Sequence, residues 1–201
     1  MFQPRVLITG ATGLVGRRLT ERLAREKNYT IHATSRTPYV GWPKGVQCLS
    51  VPDINAETDW RPSLDRCETV VHLAAWVHHM GKNTADSLME CRRVNVEGTL
   101  NLAKQAAALG IHRFVFLSSI KVNGESTSSG NAFFVSDQPE PEGIYSRSKL
   151  EAEQGLWALE AETGMEVVVI RPPLVYGPEV TGNFGSLLRW LKYGVPLPFG
   201  A

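Results

Sequence analysis

Long apolar runs are missing from this sequence. No segment approaches the ~18 consecutive apolar residues of a membrane-spanning helix, so no membrane partner is expected. No secretory leader is visible either, because strand-like residues begin at Val6. Cysteine is scarce: Cys48, Cys67 and Cys91 stand far apart and form no C-x-x-C pair. That spacing argues against a disulfide framework and against a zinc site. Reduced thiols in a cytoplasmic protein are the simplest account. An excess of one charge is also absent. Lys and Arg number 21 against 20 Asp and Glu, a net +1, so nothing electrostatic points to nucleic acid. His78-His79 lack an accompanying carboxylate, and adjacent histidines do not share a helix face. No metal is expected.

What is present is core-forming material. Hydrophobic residues make up 43% of 201 residues, enough for one domain with a sizeable interior. Apolar strand-like runs alternate with helical patterns. Strands are expected at 5–9, 29–34, 47–51, 69–75, 113–118 and 165–170. Helices are expected at 14–27, 85–109, where Leu88, Cys91, Asn95, Leu102, Ala106 and Leu109 recur on one side, and 144–163, stopped by Gly164. Residues 124–143, rich in Ser, Gly, Pro and Glu, read as a long loop. Strands apolar throughout and separated by helices imply a doubly wound parallel sheet of Rossmann type, an α/β fold with ligands at the carboxyl ends of its strands.

Val6-Leu7-Ile8 runs into Thr9-Gly10-Ala11-Thr12-Gly13-Leu14-Val15-Gly16, a strand, a glycine turn and a helix start. In a dinucleotide site the first glycine of such a turn permits the bend. The second lets the backbone approach a pyrophosphate, and the third lets helix and strand pack closely. The helix N-terminus favours the anion. A glycine-rich loop without a ligand is the plainer reading. The second strand ends in Ser35-Arg36, without the acidic residue that binds the ribose 2′-hydroxyl of NAD. Arg36 could instead meet the 2′-phosphate of NADP, or stack on adenine. The cofactor is therefore read as NAD or NADP, with a lean to NADP.

Tyr145 and Lys149 lie four apart where the 144–163 helix opens, on one face. An ammonium beside a phenol lowers its pKa and suits proton exchange with a substrate hydroxyl. An exposed tyrosine and a solvated lysine are the alternative. Ser118-Ser119 ends the strand before, either as a hydrogen-bond donor to the same substrate oxygen or as a capping serine. His72 is read as a core histidine, Arg92-Arg93 as a solvated helix face, and Trp157 and Trp190 as packing residues.

In this order, these motifs resemble the short-chain dehydrogenase/reductase superfamily. The likeness is closest to its extended branch of nucleoside-diphosphate-sugar epimerases, dehydratases and reductases, the NAD-dependent epimerase/dehydratase family. The resemblance spans nearly the whole chain. It implies that Gly10, Thr12, Gly13, Leu14, Val15 and Gly16 form the cofactor turn and that Asp53 and Ile54 contact adenine. Leu73, Ala74 and Ala75 would stand behind the cofactor ribose, with Asn95 on a bracing helix. Pro172 and Pro173 would lie beside the nicotinamide. Tyr145 becomes the acid/base. Lys149 holds the nicotinamide ribose and lowers the Tyr145 pKa, and Ser119 bonds the reacting sugar oxygen. Asn183 approaches the sugar diphosphate.

Several positions depart from the family pattern. Asn123 replaces a usual Tyr, Leu174 a frequent Asn, and Trp76-Val77 a polar segment. Where 4,6-dehydratases carry Thr-Asp-Glu, this chain has Ser119-Ile120-Lys121. The implied function is 4-epimerisation of a UDP-sugar through a 4-keto intermediate, with a nucleotide-sugar substrate and a homodimeric partner. The alternatives are a nucleotide-sugar 4-keto reductase or dehydrogenase, and a non-catalytic dinucleotide-sensing regulator. Residues 1–178 would form the dinucleotide domain and 179–201 the beginning of a substrate region, with the chain an amino-terminal part of a longer enzyme.

Overall fold

The computed structural model describes residues 3–37, 39–77, 85–128, 130–180 and 182–194. His78-His79 lie outside them. Six strands form one sheet: β1 Arg5–Thr9, β2 Thr30–Ser35, β3 Val46–Ser50, β4 Thr69–His72, β5 Arg113–Leu117 and β6 Glu166–Ile170. Their order is β3-β2-β1-β4-β5-β6 and every pairing is parallel. This is the doubly wound order of dinucleotide-binding folds, with the topological switch between β1 and β4. The expected α/β Rossmann fold is what the chain adopts.

The helices are α1 Leu14–Glu26, a short α2 Arg61–Leu64, α3 Ala85–Arg92, α4 Thr99–Ala108, α5 Ile144–Thr163 and α6 Gly182–Lys192. No helix among the described residues is long and apolar enough to cross a membrane.

Side chains alternate across a strand, and β1 uses both faces. Val6 and Ile8 pack with Ile31 and Ala33, against Leu19 and Leu23 of α1. Leu7 faces the opposite side, with Val70, Phe114 and Phe116. Leu102 and Ala106 of α4 and Leu156 of α5 cover that side. Trp60, fully buried at the start of α2, also fills it.

Three expectations need correction. The strand expected over 69–75 ends at His72; Leu73, Ala74 and Ala75 leave the sheet to line a cleft. The helix expected over 85–109 is broken by a π-helical segment, Arg93–Gly98, between α3 and α4. Leu88, in α3, and Leu109, the C-cap of α4, are exposed, whereas Cys91, Asn95, Leu102 and Ala106 are buried. Trp157 and Trp190 are not packing residues, being 40% and 51% exposed.

Candidate active site

The glycine turn joins β1 to α1. Gly10 has φ +62°, and a Cβ there would stand 2.7 Å from the Ala74 backbone nitrogen, so close approach of β4's end demands glycine. A Cβ on Gly16 would lie 2.2 Å from the Gly10 carbonyl oxygen, which lets helix and turn pack tightly. Gly13 differs. Its φ of −73° suits any residue, and a Cβ would meet only the Gly10 oxygen, at 3.2 Å. That contact is tight but single, and Gly13 is the α1 N-cap, with no acidic residue in the first turn to oppose an anion. A cleft of about 590 Å³ opens at this point. It is lined by Gly10, Thr12, Gly13, Arg36, Asp53, Ile54, Leu73, Ala74 and Ala75 among others. Leu14 and Val15 are half-buried in the first turn of α1 and do not line it. Turn, helix terminus and cleft fit a dinucleotide.

Asp53 sits at the cleft edge, but its carboxylate is engaged by Arg93, at 2.6 and 3.1 Å. The Arg93 guanidinium beside it holds the Asp53 carboxyl below its ordinary pKa. Arg93 also bonds Glu90 at 2.7 Å. The reading of Arg92-Arg93 as a solvated face is therefore wrong for Arg93, which lines the cleft and fixes the Asp53 carboxylate. Asn95, 1% exposed, does not reach the cleft. It accepts from the Trp76 N–H at 2.7 Å, and its amide donates to the Trp76 carbonyl and to Ser148 Oγ at 3.0 and 3.1 Å. It thus ties the cleft wall to α5. His72 is buried between the hydroxyls of Thr9 and Thr99, at 2.7 and 2.9 Å. Burial pushes its pKa down to about 3, so it is a neutral core histidine.

Tyr145 and Lys149 lie in the first turns of α5, which opens with Ser146 Oγ accepting from the Gly143 N–H at 3.0 Å. Lys149 is 1% exposed. Its ammonium donates to the Leu117 carbonyl at 2.9 Å, stands 4.4 Å from the Phe116 ring centre and 5.8 Å from that of Tyr145. Burial pulls the Lys149 pKa down to about 7, against the opposing influence of Cys91 and Glu153. Burial likewise pushes Tyr145 up to about 12. The expectation that Lys149 lowers the phenol's pKa is therefore not met in the protein alone: burial, with Cys91 adding to it, raises Tyr145, and at Lys149 burial outweighs the opposing Cys91 and Glu153. Ser119 is half-buried beside them. Its hydroxyl caps the short 3₁₀ turn Ile120–Val122 by accepting from the Lys121 N–H at 3.3 Å. The capping role holds, and the hydroxyl hydrogen stays free to donate. Pro172 is anchored next to this turn by a 3.0 Å bond from the Ile120 N–H to its carbonyl, whereas Pro173 is exposed. Ser119, Tyr145, Lys149 and Pro172 do not line the cleft; they gather at the carboxyl ends of β5 and β6, with α5 beside them. The side chain of Asn183 lies outside the described residues.

Beneath these groups is a buried ion pair that the motifs did not reveal. Glu153, 0% exposed, accepts from Arg171 Nε at 3.0 Å and Nη2 at 2.5 Å. Ser118 donates to the same carboxylate. Arg171 Nη1 donates to Asn123 Oδ1 at 3.0 Å. One clue was readable: Glu153 follows Lys149 by four residues, hence on the same helix face.

The sequence pattern of the NAD dependent epimerase/dehydratase family matches residues 6–193. The chain belongs to this family. A UDP-glucose 4-epimerase from Vibrio cholerae is 46% identical over 196 residues, covering 98% of this chain and 59% of that protein. Among solved structures, MoeE5 in complex with UDP-glucose and NAD is 28% identical, with a TM-score of 0.80 over 96% of this chain and 62% of that one. A UDP-glucuronic acid 4-epimerase from Bacillus cereus, solved with UDP-glucuronic acid and NAD, has a TM-score of 0.83 at 22% identity, which shows the shared fold. It covers 96% of this chain and 64% of its own. The chain thus spans about three fifths of the length of the Vibrio relative.

Proposed function

We propose that this chain carries the cofactor-binding and proton-transfer parts of an NAD(P)-dependent nucleoside-diphosphate-sugar 4-epimerase. The observation that supports it best is the pairing of an open glycine turn with Ser119, Tyr145 and Lys149 at the adjoining strand ends, in a chain 46% identical to a UDP-glucose 4-epimerase. A bound nicotinamide dinucleotide would supply reversible hydride transfer at the sugar C4. The protein's own residues do the rest. The α1 N-terminus and Gly13 receive the pyrophosphate. Tyr145 exchanges the sugar hydroxyl proton. Lys149 orients the nicotinamide ribose, and Ser119 donates to the sugar oxygen. Residues after Pro178, including Asn183, open the substrate side. The test is conversion of a UDP-hexose into its 4-epimer by the full-length enzyme without added reductant, followed by proton NMR.

Arg36 is exposed at the cleft, and β2 ends without an acidic residue. A charge-assisted bond to a 2′-phosphate contributes about 1.5–3 kcal/mol. NADP should therefore bind more tightly than NAD, and Arg36→Ala should narrow the ratio of dissociation constants about tenfold or more. Calorimetry with both cofactors checks this; equal affinities in the unmodified protein sink it.

The strand end also bears on reaction type. Ile120 has no proton to give a leaving hydroxyl, and the Lys121 ammonium is bound to Glu125 at 2.7 Å. The enzyme should form no 4-keto-6-deoxy sugar nucleotide. Detection of that product by mass spectrometry would refute the assignment away from dehydration.

A further inference from the structure

The geometry points to Glu153 as a positioning residue for the proton-transfer pair: clamped by Arg171, its buried carboxylate fixes the strand end on which Lys149 rests and serves as that ammonium's counter-charge. This rests on the reading of Tyr145 and Lys149 as the proton-transfer pair. The Lys149 ammonium is bonded to the Leu117 carbonyl. The next residue, Ser118, is bonded to Glu153. The residue after that is Ser119. One carboxylate thus holds the β5 end from which two site residues depend. Arg171, at the end of β6, binds the carboxylate through two nitrogens and carries the next link to Asn123. Asn123 in turn donates to the Phe134 carbonyl at 3.2 Å, tying the 124–143 loop to the same strut. Ser118, Asn123, Glu153 and Arg171 therefore join β5, the loop, α5 and β6.

A buried carboxylate needs partners, and losing one leaves the other charge uncompensated. Here Arg171 supplies two hydrogen bonds and Ser118 a third, so the Glu153 side chain is held in one place. Other groups act on Lys149 from each side. Tyr145 shares α5, Cys91 approaches from α3, the neutral His72 lies on β4, and Arg171 ends β6. Cys91 from this set, together with Glu153, supports the protonated ammonium. Cys91 Sγ donates to Ser148 Oγ at 3.2 Å, and Glu153 is the carboxylate of the two. Protonated Lys149 is the form that carries charge toward a ribose and a phenol, so its titration reads the strut directly.

The experiment follows the Lys149 side chain by NMR in lysine-labelled protein, its signal assigned by loss in Lys149→Arg. Glu153→Gln keeps the shape and still accepts from Arg171 but removes the charge. Its Lys149 midpoint should fall by about one pH unit. Glu153→Asp keeps the charge and should stay near the unmodified value. Arg171→Gln removes the competing cation and should move the midpoint upward, which keeps the test open should Glu153→Gln fold poorly. In the full-length enzyme, Glu153→Gln should lower kcat at alkaline pH, with recovery as pH falls, while KM changes little. An unmoved midpoint in Glu153→Gln overturns the inference, as does a fall in Glu153→Asp as large as in Glu153→Gln. Dinucleotide calorimetry on the same samples reports separately on the proposed function.

Discussion

Tyr145→Phe should lower turnover of the full-length enzyme by about 10²–10⁴-fold, the usual range for loss of a positioned acid/base. Dinucleotide affinity should stay within about twofold, because the phenyl ring keeps the packing and only the hydroxyl is lost. The structure sharpens this expectation. Tyr145 is pushed up to about 12 and Lys149 down to about 7, both by burial. The group that titrates near neutrality is therefore Lys149, pulled down from its ordinary range by desolvation. Its charge is present below about 7 and lost above it. Activity should depend on that proton, and Tyr145→Phe, which keeps Lys149, should lower the rate while leaving the loss above about 7 in place. Stopped assays across pH check both. A Tyr145→Phe enzyme with turnover within about threefold of the unmodified one would remove the phenol from the chemistry.

Gly13→Val should abolish measurable dinucleotide binding, a weakening of about 100-fold or more, while leaving the fold intact. The reason is local. Gly13 has ordinary φ and ψ of −73° and 173°, which valine adopts readily. Its Cβ would touch only the Gly10 oxygen, at 3.2 Å. The added methyls would occupy the space above the α1 N-terminus where the pyrophosphate must sit. Gly16→Val is the informative contrast. There the Cβ would lie 2.2 Å from the Gly10 oxygen and 2.8 Å from Ala11 Cα. That variant should lose stability as well as binding. Circular dichroism with calorimetry separates the two outcomes. Undiminished binding by Gly13→Val would show that the turn receives no phosphate.

Local patterns made much of the fold readable. The apolar run Val6-Leu7-Ile8 belongs to a strand buried on both faces, and in Phe114-Val115-Phe116-Leu117 the two phenylalanines are buried while Val115 and Leu117 are half-buried on the other face. Gly164 stops α5 as expected, and does so in the left-handed region, at φ +73°. Pairings between distant residues left no such trace. Arg93 and Asp53 are 40 residues apart, and their ion pair joins the first residue of the π-helical segment to the loop after β3. Glu153 and Arg171 meet because α5 packs against β6 and the turn after β5. Leu73-Ala74-Ala75 reads as strand by composition, yet these residues leave the sheet to wall the cleft. The shift at Lys149 was legible in sign of charge but not in direction, since burial of a lysine shows only once Phe116 lies beneath it.

The central claim is that this chain is built around a nicotinamide dinucleotide held for repeated use. Mass spectrometry of the ligand released from gently purified protein tests it most directly. The account predicts a nicotinamide dinucleotide in its oxidised form. Protein that retains no dinucleotide, and takes up neither NAD nor NADP when they are added, would contradict it.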